Sequence, residues 1–284
     1  MELVIKEEMR KGLHIQEIDG CSFKLKAPFD FAFLSRYGRV FKVFDDQDSG
    51  NICFGTEKDG QKYFVKFAGA PTAEYSGTPE AAVERLKAVL PIYRDLKQQN
   101  LIELVGAEEI GGGFALVFCW ADGDCMGRMY PEGHRRFMNL SISVRRKVFR
   151  DVLDFLAEVN RRGYVAADFY DGSILYDFEN GKTTFCDIDL FRKKPCVNDM
   201  GRMWGSSSFM SPEEFELGAP LDEVTNVYTA GAMAFALFGG YSRTYDRWPL
   251  GEALYRVAEK ATANDRSDRQ PSVWQLIREW ESAE

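Results

Sequence analysis

Residues 165–192 read V-A-A-D-F-Y-D-G-S-I-L-Y-D-F-E-N-G-K-T-T-F-C-D-I-D-L-F-R, and few backbones satisfy that run. Ile174-Leu175-Tyr176 and Thr184-Phe185-Cys186 read as strands, and Asn180-Gly181 between them supplies the positive φ angles of a tight hairpin turn. Asp168 precedes the hairpin and Asp187 follows it. Antiparallel strands return the chain to its starting point, so the two acids can be aimed at one place. Such a pair suits phosphoryl transfer: one carboxylate orients an attacking hydroxyl, and the other holds a metal ion on phosphates. An acid beside a hairpin also caps backbone amides in ordinary proteins, so the pair gains weight only from its surroundings.

Those surroundings supply further pieces in order. Lys66 lies in the alternating strand Tyr63-Phe64-Val65-Lys66-Phe67, and the apolar run Phe114 to Ala121 ends at Asp122-Gly123. Phe209-Met210-Ser211-Pro212-Glu213, Asn226-Val227-Tyr228-Thr229-Ala230-Gly231 and Asp268-Arg269-Gln270-Pro271-Ser272 follow. Together these segments resemble protein kinases. The hairpin resembles H-R-D-x-x-x-x-N followed by D-F-G, and the Lys66 strand is similar to V-A-I-K. The later segments resemble A-P-E, the D-V-Y-S-x-G helix start and the arginine that pairs with the A-P-E glutamate. The likeness covers roughly residues 40–280.

The resemblance implies an α+β, two-lobed protein-kinase-like fold. Its small lobe is an antiparallel sheet with one helix, and its larger lobe is mainly helical. Residues 1–40 would form an extension packing on the small lobe, 41–121 the N-lobe and 122–284 the C-lobe. It further implies an ATP-dependent phosphotransferase, a stand-alone, divergent serine/threonine protein kinase using ATP with Mg²⁺ or Mn²⁺. Asp168 and Lys66 take the catalytic places, with Lys66 on the α and β phosphates, and Asp187 and Ser173 take the metal places. Gly50, Ile52, Cys119 and Ala121 fall where the nucleotide is enclosed. The helical glutamate that pairs with the strand lysine is not fixed. Counting back from Asn100 puts Val89 in its place, with Glu84 the nearest acid and Glu80 the next. Glu213 and Arg269 would form a structural ion pair.

Departures from the family pattern are as informative. Counted back from Lys66, the glycine-rich loop falls on Asp45 to Gly50, where only Gly50 matches and three acids would repel phosphates. A second register, around Gly38, keeps one glycine and adds positive charge but leaves an overlong hairpin. Ser173 replaces the metal-binding asparagine, and Tyr170 a lysine or arginine. Phe64 stands where a small residue leaves room for adenine, Ala167 where an arginine precedes the catalytic aspartate, and Asp189 in place of the D-F-G glycine. Asn226 replaces an aspartate that anchors the catalytic loop, and its amide retains that capacity.

Composition narrows the field further. The 284 residues carry 36 basic and 44 acidic side chains, a net charge of −8, which argues against a nucleic-acid binder. Six cysteines without C-x-x-C spacing and two histidines disfavour a structural zinc site. Met1 opens a charged stretch rather than a signal peptide, and the apolar run Val227 to Gly240 is too short to cross a bilayer. The expected location is cytoplasmic, without membrane partners. Glu7 to Arg10 could start a short helix, and Phe29 to Leu34 is apolar enough to pack on the small lobe. Thr78-Pro79-Glu80 reads as a helix start, and Val227 to Phe238 as a helix buried on all sides.

Three functions remain open at this point: a protein kinase, a small-molecule kinase of the same fold, and a pseudokinase acting as a binding module. The segment from Asp187 to Glu213 favours the first. The missing arginine before Asp168 favours the second, and the altered loop, Phe64 and Ser173 favour the third. The acceptor is a protein or small-molecule hydroxyl.

Overall fold

Alternating apolar and polar residues build the first part of the molecule, described in a computed structural model that covers residues 12–284. The helix start expected at Glu7 to Arg10 lies outside the described residues. The chain divides into two compact units. The first runs to Lys97 and takes in Ile102–Ala121, and the second holds Gln98–Leu101 and Asp122–Glu284.

In the first unit, β1 (His14–Ile18) and β2 (Cys21–Leu25) form a hairpin through Asp19-Gly20, both at positive φ. A 3-10 turn over Ala32–Arg36 leads into β3 (Arg39–Phe44), β4 (Asn51–Lys58), β5 (Gln61–Ala68), helix α1 (Pro79–Asp95), β6 (Leu104–Ile110) and β7 (Gly113–Cys119). The five strands form one antiparallel sheet in the order β3-β4-β5-β7-β6. Because side chains alternate across a sheet, each strand serves two layers. Ile52, Phe54, Val65, Phe67, Ala115 and Val117 face one way, into a cluster closed by Phe23, Leu25, Phe31 and Leu34. The extension before β3 is thus a hydrophobic cover. Its rings meet those of the sheet edge-on or tilted, as in Phe31 on Phe54 at 5.2 Å and Phe33 on Phe67 at 4.7 Å.

Helix α1 starts as its sequence predicts. The Thr78 hydroxyl accepts the Ala81 N–H at 3.2 Å, and Pro79 takes the first turn. Pro91 lies inside the helix without ending it, and Ala82, Leu86, Val89 and Tyr93 make its buried stripe. Tyr93 reaches the Phe118 ring at 4.8 Å, so α1 packs on the sheet face opposite the cover.

The second unit contains β8 (Asp124–Cys125), α2 (Pro131–Met138), α3 (Ile142–Arg161) and β9 (Tyr164–Val165). Then come β10 (Ile174–Asp177), β11 (Lys182–Phe185), β12 (Arg192–Lys193), β13 (Cys196–Val197), β14 (Pro220–Leu221), α4 (Glu223–Gly239), α5 (Glu252–Ala261) and α6 (Val273–Ala283). Helix α4 is buried at every position from Thr225 to Phe238, and Gly240 closes it in the left-handed region at φ +57°. All six cysteines are free thiols. Among the described residues no helix is long and apolar enough to cross a membrane.

Candidate active site

The expected hairpin forms, with Ile174 paired to Phe185 and Asp177 to Lys182. Its turn is held from below. One Asp177 oxygen accepts the N–H groups of Glu179 and Asn180, and the other the Asn180 amide. Those donors, the Asn180 side chain first, hold the Asp177 carboxyl below its ordinary range. Asp168 and Asp187, at the two ends, both adopt left-handed backbone, at φ +57° and +55°. Non-glycine residues seldom take that conformation away from turns, and it persists where the surroundings over-determine it.

At Asp168 those surroundings can be named. Asn226, fully buried on α4, accepts the Ala166 N–H at 2.8 Å and donates to the Tyr164 carbonyl at 3.1 Å. The amide therefore does the anchoring expected of it. Ala167, the residue in the arginine's place, is buried with Val165, Met203, Met210 and Leu221. Apolar packing thus holds the segment 203–210 against the loop. Asp168 Oδ1 accepts the Ser206 N–H at 3.2 Å, and a side chain at Gly205 would crowd that carboxylate. Farther on, Glu213 and Arg269 form a two-pronged buried pair at 2.8 and 3.0 Å, with side-chain exposures of 5% and 0%. Burial pushes the Glu213 carboxyl up. The Arg269 guanidinium and the Thr225 hydroxyl outweigh it and leave the group below its ordinary value.

Tyr170 projects into the same neighbourhood. Its ring lies over Gly172, where a Cβ would fall 2.2 Å from a ring carbon, and its edge meets Phe209 at 6.2 Å. Burial first, then the Asp187 and Asp168 charges, hold the phenol far above its usual range, so it stays a neutral donor. Asp171 is engaged by the Tyr241 hydroxyl, and Arg128 stacks 3.2 Å over the Tyr241 ring. Burial pushes the Cys125 thiol up to about 11, and its Sγ donates to the Gly172 carbonyl at 3.2 Å. It belongs to the framework.

Ser173 departs from its expected place as a metal ligand. It is fully buried, its hydroxyl accepts the Tyr170 N–H at 3.5 Å and its carbonyl the Cys186 N–H at 2.9 Å. Among the described residues no group of three or more His, Cys, Asp or Glu could hold an ion alone. That fits Mg²⁺, which commonly takes one or two carboxylates and completes its shell from phosphates and water. Asp187, exposed at the hairpin end, suits such a role; Ser173 does not.

In the first unit, Lys66 is buried on β5 and pairs in register with Cys53 and Leu116. Several neighbours expected around it are elsewhere. Ile52 pairs with Phe67 and points into the cluster under the extension, so it lies on the face opposite Lys66. Strand parity gives Cys53, not Ile52, to the lysine's face. Glu84 also misses. Its carboxylate is 76% exposed, with Lys87 at 3.8 Å, because it lies about half a turn from the buried stripe. Val89 occupies that stripe, and the helix acids Glu80, Glu84 and Asp95 are all exposed.

Gly50 closes the Asp45–Gly50 loop at φ +83°, where a Cβ would strike the Tyr75 ring and Ala82. Its need for glycine is accounted for by packing on α1. Arg85 adds a bond from α1 to the Ser49 carbonyl at 2.8 Å. Asp45 accepts the Lys24 N–H at 2.8 Å, which ties this end of the loop to the extension. The alternative register fails, since Gly38 enters β3 against the Glu57 backbone, at the far end of the β3–β4 hairpin.

Phe64 shares the face of Lys66 and contacts Phe44, Phe118 and Trp120 at 5.6 to 6.5 Å. Gly55, also on that face, lies beneath the rings of Phe41 and Trp120. Cys119 ends β7, donating its N–H to the Glu103 carbonyl at 2.9 Å, and Ala121 is half-buried at the end of the unit. The aromatic cover and the clamp on Asp168 depend on contacts distant in sequence, and no local motif announces them.

The sequence matches no protein-family model. It is 28% identical over 171 residues to a probable LRR receptor-like serine/threonine-protein kinase of Arabidopsis thaliana, across 56% of this chain and 16% of that protein. It is 21% identical over 209 residues to a serine/threonine-protein kinase of Saccharomyces cerevisiae, across 72% of this chain and 14% of that one. The chain therefore spans less than a fifth of the length of either relative, and the similarity is weak and partial. It points to a kinase-like chain, and the mixed α+β architecture is compatible with that.

Proposed function

We propose that this chain is an ATP-dependent serine/threonine protein kinase. The observation that carries the reading is the pair Asp168 and Asp187, both held near φ +55° at the two ends of one hairpin. In this reading Asp168 orients the acceptor hydroxyl and takes its proton as the oxygen attacks the γ-phosphorus of ATP and ADP departs. Asp187 holds Mg²⁺ or Mn²⁺, which when bound neutralises phosphate charge. Lys66 offers a positive charge to the α and β phosphates. The segment that ends at the Glu213–Arg269 pair, and lies against Asp168, favours a protein acceptor over a small molecule.

A second reading, a binding module without turnover, draws on the first unit. Aromatic rings fill the face of Lys66, and the buried stripe of α1 carries Val89 in place of an acid. Incubation with γ-labelled ATP and Mg²⁺ or Mn²⁺, with and without a generic protein acceptor, decides between them. Label on a serine or threonine, lost in Asp168→Asn, is the expected result. Nucleotide binding with no transfer under either metal favours the second reading.

A further inference from the structure

Three arginines of the second unit stand exposed, and each is followed two residues later by an exposed aromatic ring. The pairs are Arg128 with Tyr130, Arg202 with Trp204, and Arg243 with Tyr245. All three border the short segment that leans on Asp168. Arg202 donates to the carbonyls of Met203 (3.1 Å) and Gly205 (3.5 Å), next to the Ser206 N–H held by Asp168. Arg243 donates to the Ser208 carbonyl (3.0 Å) and the Tyr228 hydroxyl (2.8 Å). Arg128 stacks on Tyr241, whose ring meets Phe209 at 6.2 Å.

The groups hydrogen-bonded to Arg202 and Arg243 are neutral oxygens. Among the described residues no carboxylate pairs with any of the three within 4 Å. Of the nearby acids, Asp171 accepts the Tyr241 hydroxyl and feels the Arg128 charge without a direct pair, Asp246, largely exposed, has Arg247 at 3.7 Å, and Glu259 and Asp268 line a separate cavity with Arg243. A cavity of about 330 Å³ opens between Ser207, Ser208, Tyr228, Tyr241 and Arg243. In a chain of net charge −8, three exposed arginines along one segment with no directly paired carboxylate need a reason.

We propose that this surface binds the acceptor, and that the acceptor is an acidic protein segment carrying Asp or Glu near its serine or threonine. The inference rests on the protein-kinase reading and adds the class of substrate. Guanidinium groups match carboxylates in planar, two-pronged geometry, and Arg, Tyr and Trp are the residues enriched where interfaces hold most of their energy. Only an extended partner reaches all three segments, from Arg128 through Arg202 and Trp204 to Arg243.

The test separates binding from turnover. Fluorescent peptides with alanine in place of the acceptor serine cannot be phosphorylated, so their binding does not depend on catalysis. One carries Asp and Glu flanks, the other Lys and Arg flanks. Anisotropy should show the acidic peptide binding at least about tenfold tighter, with the preference shrinking as salt rises. Arg202→Glu and Arg243→Glu should each weaken it about tenfold, from attraction turned to repulsion. Arg202 is exposed and gives a second variant should Arg243→Glu fail to fold, and a thermal melt checks both. Equal binding of the two peptides, or no loss in a folded Arg202→Glu chain, overturns the proposal. So does an oligonucleotide that competes as well as the acidic peptide. If the chain transfers no phosphate yet keeps the acidic preference, the kinase reading fails and the surface assignment stands.

Discussion

Around Asp168 buried polar groups stand in matched pairs, whereas around Lys66 aromatic rings cover both faces of the sheet. Around Asp168, Asn226 is tied to two backbone groups and Glu213 to Arg269, all of them buried. Around Lys66, Phe64, Phe118 and Trp120 occupy one face of the sheet, and Phe31, Phe54 and Phe67 the other. Hydrogen-bonded networks fix direction and tolerate little substitution, while apolar packing accepts many residues of suitable volume. Directional bonds thus hold the segment that carries Asp168, while rings occupy the sheet face that carries Lys66. This contrast teaches where to press: loss of chemistry should follow changes in the second unit, and gains should be sought in the first.

The largest effect is expected at Asp168. Asp168→Asn keeps an oxygen for the Ser206 N–H but removes the proton acceptor, so turnover should fall about 10²- to 10⁴-fold with ATP affinity nearly unchanged. Matching rates of label transfer in the two proteins would remove Asp168 from the chemistry and erase the asymmetry between units.

Glu213→Gln should cost about 3–5 kcal/mol in urea unfolding, because it strands the Arg269 charge in the core. The pH dependence follows from the lowered folded-state pKa. The pair's contribution is present above the unfolded carboxylate value of about 4.3 and is lost as pH falls through the folded value. Wild type should therefore lose stability more steeply than the variant as pH drops below about 4.3. Parallel curves would show that the pair does not govern the second unit's acid sensitivity.

Much of the second unit was legible because its signals are local. Asn180-Gly181 marks the turn within two residues, and the apolar run of α4 announces burial by composition alone. Asn226 and the Glu213–Arg269 pair were legible through resemblance, since the partners lie 56 residues or more apart. The first unit was harder. Ile52 and Cys53 are neighbours in sequence, and only the register with β5 decides which of them shares a face with Lys66. A count of one residue reverses that answer. Charge points to Glu84, while helical phase assigns it to solvent. The packing of Phe29 to Leu34 on the sheet was expected from its apolar run, but which rings it meets was not, because they find their partners across the sheet and not along the chain.

A smaller effect, and a gain, is expected in the first unit. Phe64→Ala removes a half-buried ring from the face of Lys66 and should cost about 1–2 kcal/mol of stability, less than a fully buried ring would. If that ring limits access for a nucleotide base, the variant should bind ATP more tightly, read by calorimetry. Weaker ATP binding would mean that the aromatic face serves as a stacking platform, and that surface would then be part of the site.

The smallest effect distinguishes two roles for the acidic loop. Asp45, Asp46 and Asp48 would repel phosphates if the loop covered a nucleotide, and neutralising them should then tighten ATP binding at low salt. The structure gives Asp45 another occupation, since its carboxylate accepts the Lys24 N–H and joins the loop to the extension. Asp45→Ala should accordingly lower stability by about 0.5–1.5 kcal/mol while leaving ATP affinity alone. Asp46→Asn with Asp48→Asn, both exposed, should leave stability unchanged and report only on phosphate repulsion. Tighter ATP binding in the double variant places the loop over the phosphates despite its lost glycines. No change at low ionic strength detaches the loop from the nucleotide, and the contrast between the two units becomes sharper.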